Sequence, residues 1–334
     1  MNQPLVSIIL SNYNGLIHLK ECFDSLNNMN YKNVEIIFID NNSTDDSVKF
    51  VRSNYPNVKI IQNEKDFGFA GANTIAASYA SGKYIVLLNI DTFVDKNWLI
   101  ELVKVIESSD KIGIVTSKQI YYYQKDTIYY AGLGANKFLE NRRYGDLIKI
   151  EDFPDIQMKT FFAEGASLLI RKSIYDKIGL FDPQYYAFSE DLDLSWRVWL
   201  YGFDVIYVPT SIMYHKAGGV FGRISPRKIY LMERNILRTL LKNYETKTLV
   251  EVLPVFYLKR IGRIIKLMLK LKIRSIDLIF ANIKSIFWNI FKIKSLLEDR
   301  KFIKGIRKRT DKFIFKLNEE INQIIFQKSH IYYK

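Results

Sequence analysis

Three carboxylates fall within four residues at Glu190, Asp191 and Asp193. They lie between an aromatic run (Tyr185, Tyr186, Phe188) and a segment carrying Trp196 and Trp199. Acids held between rings and a helix start can have their pKa values pushed apart, which proton transfer in catalysis requires. A second reading stays open at this point: Ser189 caps a helix, and Glu190 and Asp191 sit in a first turn whose dipole favours negative charge. Asp193, two residues on, points to another side of such a helix, where Arg197 is a candidate partner for one of the acids.

A further polar set needs elements to gather it. Apolar runs at 5–10, 34–40, 58–61 and 84–88 read as buried strands, each ending in polar turn residues. Leu16, Leu19, Cys22, Phe23 and Leu26 recur at helical spacing after the first run. Helices are also expected up to about 53, after an Asn63 to Asn73 turn in an Ala-rich stretch, and over 95–107. Strands alternating with helices at this spacing predict an α/β, doubly wound, mostly parallel sheet. Ligands of such sheets bind at the carboxyl ends of the strands. Ser11, Asn12, Asp40, Asn42, Asp66, Asn89 and Asp91 all fall at those ends or just past them. Each alone is an ordinary turn residue; their recurrence after four strands points to one polar rim.

Later segments are less regular. A strand is expected at 112–116, hairpins or a lid over 117–160, a strand entered through 161–170, and another at 205–208. His215 then reads as part of a Gly-rich loop with Gly218 and Gly219, placed to reach a metal held by Asp91. No G-x-G-x-x-G follows the first strand and no G-x-x-x-x-G-K-[ST] occurs, which argues against a dinucleotide dehydrogenase and a P-loop NTPase.

Composition divides the chain. The 334 residues are 48% hydrophobic, enough for a sizeable core. The single cysteine, Cys22, excludes an internal disulfide and fits a reducing compartment. The first residues run straight into a strand pattern with no signal-peptide character. Of the net charge of +14, residues 249–334 supply most, with 20 Lys/Arg against 7 Asp/Glu, leaving 29 against 28 in the rest.

With these pieces in order, the sequence resembles the family 2 glycosyltransferases of GT-A fold, nearest the branch holding many rhamnosyltransferases. The carrying stretches are Val6 with Ser11, Asn12 and Asn14; Asp40-Asn41-Asn42-Ser43; Gly68-Phe69-Ala70-Gly71 with Asn73; Asn89-Ile90-Asp91; Glu164-Gly165-Ala166-Ser167; Gly179-Leu180-Phe181-Asp182; Glu190-Asp191-Leu192-Asp193 with Arg197; and His215 with Gly218-Gly219. They span roughly residues 5–240. The resemblance implies an inverting transfer of a sugar from a UDP- or dTDP-sugar, rhamnose among the candidates, to a glycan or lipid-linked hydroxyl. Ser11, Asn12, Tyr13 and Asp40 would hold base and ribose. Asn42, Asp66, Gly68 and Asn73 would join the nucleotide site. Asn89 and Asp91 stand where the family carries its Asp-x-Asp motif, with Asn in place of the first acid. Asp91 and His215 are the implied ligands of a divalent cation, Mg²⁺ or Mn²⁺. Asp191 matches the catalytic base, with Glu190 as its rival.

The implied organisation is a catalytic domain over 1–222, with a nucleotide-sugar half to about 115 and an acceptor half beyond it, a closing helix over 223–248, and a basic helical region over 249–334. In that last region Ile261, Ile264, Ile265, Met268 and Leu269 share one helical face, and Ile276, Ile279, Phe280, Ile283, Ile286, Phe287 and Ile290 repeat the arrangement. Basic amphipathic helices suit an anionic membrane surface; packing on the catalytic body is the alternative, and nucleic acid is disfavoured because aliphatic stripes need burial. The expected location is cytoplasmic, peripheral at the inner face of the plasma membrane. A different class of function, a catalytically weak GT-A module binding nucleotide or glycan, would be favoured by loss of the Glu190–Asp191 pair, which is intact. A nucleotidyltransferase is disfavoured because no glycine/arginine-rich first loop is present. Oligomeric state is not legible.

Overall fold

The computed structural model describes residues 3–216, 225–269 and 273–329. Strand β1 (Val6–Asn12) leads to helix α1 (Leu16–Asn27), β2 (Val34–Asp40), α2 (Ser47–Asn54), β3 (Lys59–Gln62), α3 (Gly68–Ala77) and β4 (Tyr84–Asn89). These four strands lie in the order β3-β2-β1-β4, all parallel. Their side chains alternate between two cores, as the period of two requires. Ile9, Ile37 and Leu87 face one core; Ile8, Phe38 and Val86 face the other, with Leu19, Phe23 and Leu26 of α1. Helix α3 begins at Gly68, so the stretch read as a turn is already its first turns.

The second half extends the same sheet. A short β5 (Thr92–Val94) and α4 (Trp98–Glu107) precede β6 (Ile112–Tyr121) and β7 (Gln124–Tyr130), which form a hairpin. The small ribbon β8 (Leu133–Ala135) and β9 (Asn141–Arg143), then β10 (Met158–Lys159), β11 (Ser167–Arg171), α5 (Lys172–Ile178), α6 (Glu190–Tyr201) and β12 (Asp204–His215) follow. Strand β11 inserts antiparallel between β4 and β6, while β12 runs parallel to β6. The parallel portion is thus joined to a mixed portion through one reversed strand.

Strand β12 does not stop at Val208. It passes Pro209 through an irregularity in its pairing and continues to His215, which pairs with Thr92. A proline within a sheet is tolerated at such a bulge, where no ladder donor is needed. His215 is therefore the last residue of a strand rather than part of the following loop. Gly218 and Gly219 lie outside the described residues.

Helix α7 (Pro226–Asn243) starts with proline in its first turn and Ser225 as a side-chain cap, its hydroxyl accepting from Lys228 N at 3.2 Å. Helices α8 (Thr246–Leu269), α9 (Ile273–Phe291), α10 (Ile293–Ile306) and α11 (Asp311–Ser329) complete the chain. Among the described residues, no helix is long and apolar enough to cross a membrane. The apolar stripes of α8 and α9 are exposed rather than packed on the body: Ile261 is 51%, Phe280 65% and Phe287 52% accessible.

Candidate active site

The parallel register sets one rim of the sheet. Asn12 pairs with Asp40, and Ser11 with Asn89, so these polar residues end three neighbouring strands side by side. Asn12 Nδ2 donates to Asp40 Oδ1 at 2.8 Å and to Ser43 Oγ at 3.0 Å, while Asp40 Oδ2 accepts from Ser43 N at 2.9 Å. Asn12 and Asp40 are buried; Tyr13 and Asn42 are exposed beside them, Asn42 at φ 66°. The side-chain oxygen of Asn12, Oδ1, is buried with no protein partner, leaving one acceptor for a bound group. At Gly15, the turn after β1 passes so close to Ile90 that an added Cβ would sit 2.1 Å from its side chain.

Asp66 ties this rim to the carboxylate loop. Its Oδ1 accepts from Gly68 N at 2.7 Å and Asn41 Nδ2 at 2.5 Å, and its Oδ2 accepts from the Tyr186 hydroxyl. Gly68 has φ +69°, and a Cβ there would meet the Tyr186 carbonyl at 2.3 Å, so only glycine fits. Asn73 is buried one turn further on, and its amide donates to Phe69 O at 2.8 Å within α3.

Asp91 follows β4, and the β5–β12 pairing brings His215 to it. His215 Nε2 lies 3.3 Å from Asp91 Oδ1. Burial alone would raise the Asp91 pKa; the hydrogen bond and charge of His215, with a contribution from His18, bring it below its ordinary value. His18, on α1, is the neighbour that the sequence did not disclose. Burial lowers its pKa against the pull of Asp91, and its Nδ1 is buried without a partner.

Asp191 stands in the first turn of α6. Tyr186, Phe188 and Ser189 before it all have positive φ (63°, 72° and 66°), a conformation that costs non-glycine residues energy. Ser189 makes no side-chain cap bond, which removes the simple capping reading. The strained loop is held from α7 instead. Asn235 Nδ2 lies 3.0, 2.9 and 2.7 Å from the carbonyls of Tyr185, Ala187 and Phe188. Arg234 Nη2 donates to the carbonyls of Gln184 and Tyr185 at 2.9 and 3.0 Å.

The three acids have different surroundings. Asp191 is half-buried; burial and the Glu164 charge push its pKa up to about 6, against hydrogen bonds from Gly165 N at 3.1 Å and Leu192 N at 2.8 Å. Glu190 is buried, one oxygen has no partner, and burial with the Asp191 charge raises its pKa well above the ordinary range. Asp193 is wholly buried. Burial would raise it, but the Lys242 and Arg197 charges and hydrogen bonds from Lys242 and Asn243 hold it far below the usual carboxylate range. Arg197 Nε donates to Asp193 Oδ2 at 2.9 Å, so this acid anchors α6 and α7.

Asp91 and His215 meet directly, and Asp191 is connected to each of them through a relay of contacts. Gly165 N donates to Asp191, and the next carbonyl, Ala166 O, accepts from Asn89 N at 3.1 Å, two residues before Asp91. On the far side Glu164 Oε1 accepts from Arg143 at 2.6 Å; Arg143 lies 4.2 Å from the centre of the Tyr129 ring, which meets the His215 ring edge-on at 4.9 Å. A pocket of about 710 Å³ opens beside the loop, lined by Tyr186, Tyr230, Arg234, Phe280 and Lys284 among others.

The donor set for a metal is small. Ligands about 2.1 Å from an ion and roughly at right angles to each other are about 3.0 Å apart, close to the observed 3.3 Å between Asp91 and His215. The pair therefore fits one edge of a coordination shell. Among the described residues, no group of three or more His, Cys, Asp or Glu could hold an ion. The site fits a cation shared with phosphate oxygens and water, not one enclosed by protein.

The comparisons agree with this architecture. The fold is that of the GT-A glycosyltransferases, as solved structures show. GalNAc-T7 with UDP, GalNAc and Mn²⁺ superposes with a TM-score of 0.67 at 18% identity, covering 98% of this chain and 58% of that one. The Pyrobaculum calidifontis mannosyltransferase PcManGT, in complex with GDP-Man and Mn²⁺, gives 0.54 at 13% identity, covering 96% and 88%. The sequence model described as Glycosyl transferase family 2 matches residues 7–179, just over half of the chain, which belongs to that family. An uncharacterized glycosyltransferase of Haemophilus influenzae is 24% identical over 335 residues, covering 95% of this chain and 98% of that protein. The O-antigen chain rhamnosyltransferase WbaN of Salmonella anatum is 25% identical over 218 residues, covering 64% and 66%. The chain thus spans somewhat less than two thirds of WbaN and of GalNAc-T7.

Proposed function

We propose that this glycosyltransferase inverts the anomeric centre of a nucleotide-sugar, UDP- or dTDP-linked, as it transfers the sugar to a hydroxyl of a glycan or lipid-linked acceptor. The observation that carries this reading is the placement of Asp191, held by the N–H groups of Gly165 and Leu192, one residue pair away from the Ala166–Asn89 link that leads to Asp91. An acceptor hydroxyl is a weak nucleophile, and a positioned base is worth roughly 10²–10⁴-fold. Asp191 takes the hydroxyl proton as the oxygen bonds to the anomeric carbon. The bond to the nucleoside diphosphate breaks with its electron pair on the leaving phosphate. Ser11, Asn12, Tyr13, Asp40 and Asn42 receive base and ribose; Asn12 Oδ1 is the open acceptor there. Asp66 and Gly68 shape the wall between nucleotide and acceptor, and Asn73 supports α3 behind it. Asn89 positions the Asp91 turn. Asp91 and His215 would hold a divalent cation, Mg²⁺ or Mn²⁺, which supplies neutralisation of the diphosphate charge. Rhamnose is a candidate sugar on the likeness to WbaN.

The test is release of UDP or dTDP from a panel of nucleotide-sugars and acceptors, with and without Mn²⁺, for wild type and Asp191→Asn. Turnover by wild type and loss in the variant supports transfer. Equal, negligible release across the panel would support instead a GT-A module that only binds nucleotide or glycan.

A further inference from the structure

Helix α9 is built inside out for a helix in water. Asn282, Ser285 and Asn289 are each at most 3% exposed and face α7, where Asn289 Nδ2 donates to Arg234 O at 3.0 Å. Trp288 lies under the Arg234 guanidinium, 4.4 Å from the ring centre. Opposite them, Ile276, Phe280, Ile283, Phe287 and Ile290 repeat at three- and four-residue steps along the exposed face. Helix α8 buries Val252 and Phe256 in the core along its first half, and its second half repeats the inversion: Arg260 is buried and donates to Glu233 of α7 at 2.9 Å, while Leu258, Ile261, Ile265 and Met268 are exposed. Both helices direct polar groups at α7, so both apolar stripes look away from it. Water-soluble helices bury the apolar stripe and expose the polar one, and a contiguous apolar surface of this kind marks an interaction site.

Charge selects the occupant. Between residues 259 and 284 the sequence holds eight Lys/Arg and a single acid, Asp277. Arg263, Lys266, Lys284 and Lys292 are exposed along or beside the stripes. A second copy of the same face would set these cations against each other. A surface with an apolar interior and anionic headgroups satisfies both features at once. We propose that the outward faces of α8 and α9 lie in the headgroup region of an anionic lipid surface as a monotopic anchor. Neither helix needs to cross it, and none can among the described residues. Phe280 and Lys284 belong both to this face and to the pocket beside Tyr186, so docking opens that pocket at the level of the lipid headgroups. The inference goes beyond sugar transfer and does not depend on it.

The full chain is sedimented with vesicles of phosphatidylcholine alone and of phosphatidylcholine mixed with phosphatidylglycerol, at low and high salt. Wild type pellets with the anionic vesicles, and salt weakens the binding. Ile283→Ser with Phe287→Ser lowers the partition by about tenfold or more, with unchanged circular dichroism and melting. Lys266→Gln with Lys292→Gln lowers the partition and flattens its salt dependence. Folded wild type left in the supernatant at low salt overturns the proposal. So does wild-type binding by the Ile283/Phe287 variant, or a dimer in sedimentation velocity that this variant splits while vesicles bind neither. No sugar donor is present in this assay, so its failure is separate from failure of transfer.

Discussion

Asp191 and Glu190 are neighbours in the chain whose carboxylates meet different partners. Asp191 accepts two backbone N–H groups, whereas Glu190 has a buried oxygen with no hydrogen-bond partner among the described residues. As the proposed base, Asp191 ties the activity to its own ionisation. The transfer rate should be flat above pH 6 and fall about tenfold per unit well below it, measured as kcat/KM against pH. Asp191→Asn should cost roughly 10²–10⁴ in kcat. Glu190→Gln, which keeps the shape and removes the charge, should stay within about threefold of wild type; a loss matching that of Asp191→Asn would make Glu190 the base. Linkage gives a second readout. The folded pKa of Asp191, about 6, exceeds its ordinary 3.8, so the folded state binds this proton more tightly than the unfolded chain. Ionised Asp191 therefore opposes folding above pH 6. Asp191→Asn should be more stable than wild type by about 1–3 kcal/mol at pH 7.5, the gap closing as pH falls from 6 towards 4. Urea unfolding at several pH values measures it.

At the scale of elements, α7 fixes the geometry that Asp191 needs. Asn235 contacts carbonyls 47 to 50 residues earlier and compensates for the three positive-φ residues Tyr186, Phe188 and Ser189. Asn235→Ala leaves the carbonyls of Ala187 and Phe188 without their buried side-chain donor, which should cost about 1–3 kcal/mol and lower kcat while the KM for the donor holds. Fluorescence unfolding and steady-state kinetics separate the two effects. A neighbouring anchor should behave differently. Lys242→Met strips Asp193 of one buried cation and should destabilise the protein by about 3–5 kcal/mol. Both anchors show where sequence reading reached its limit. The first four strands and their polar ends were legible because apolar runs and turn residues are local signals. Asn235 was not, since its partners are brought near only by the fold. His215 was placed beyond a strand expected over 205–208, yet the chain bulges after Val208 and pairs on to His215. His18 carries no local signal, since only the fold brings it beside Asp91. The apolar stripes of α8 and α9 were visible as periodicity, but periodicity does not say which face turns inward.

For the molecule as a whole, the candidate cation site spans two parts of the sheet. Asp91 leaves β4, in the parallel portion with the polar rim; His215 ends β12, in the mixed portion. Two protein ligands hold a hard divalent ion weakly, because such ions demand at least six oxygen or water neighbours. A nucleoside diphosphate bound along Asn12 and Asp40 would complete that set and lock the two portions together. Stabilisation by a ligand grows with its free concentration relative to its Kd. Mn²⁺ alone should therefore shift the melting temperature little, and a nucleoside diphosphate alone only modestly. Added together they should raise it by more than the sum of the separate shifts. Asp91→Asn and His215→Ala should each remove this excess while leaving the shift from nucleotide alone. Strictly additive shifts in wild type would mean that the ion does not bridge nucleotide and protein, and that Asp91 and His215 act only as a structural hydrogen-bonded pair.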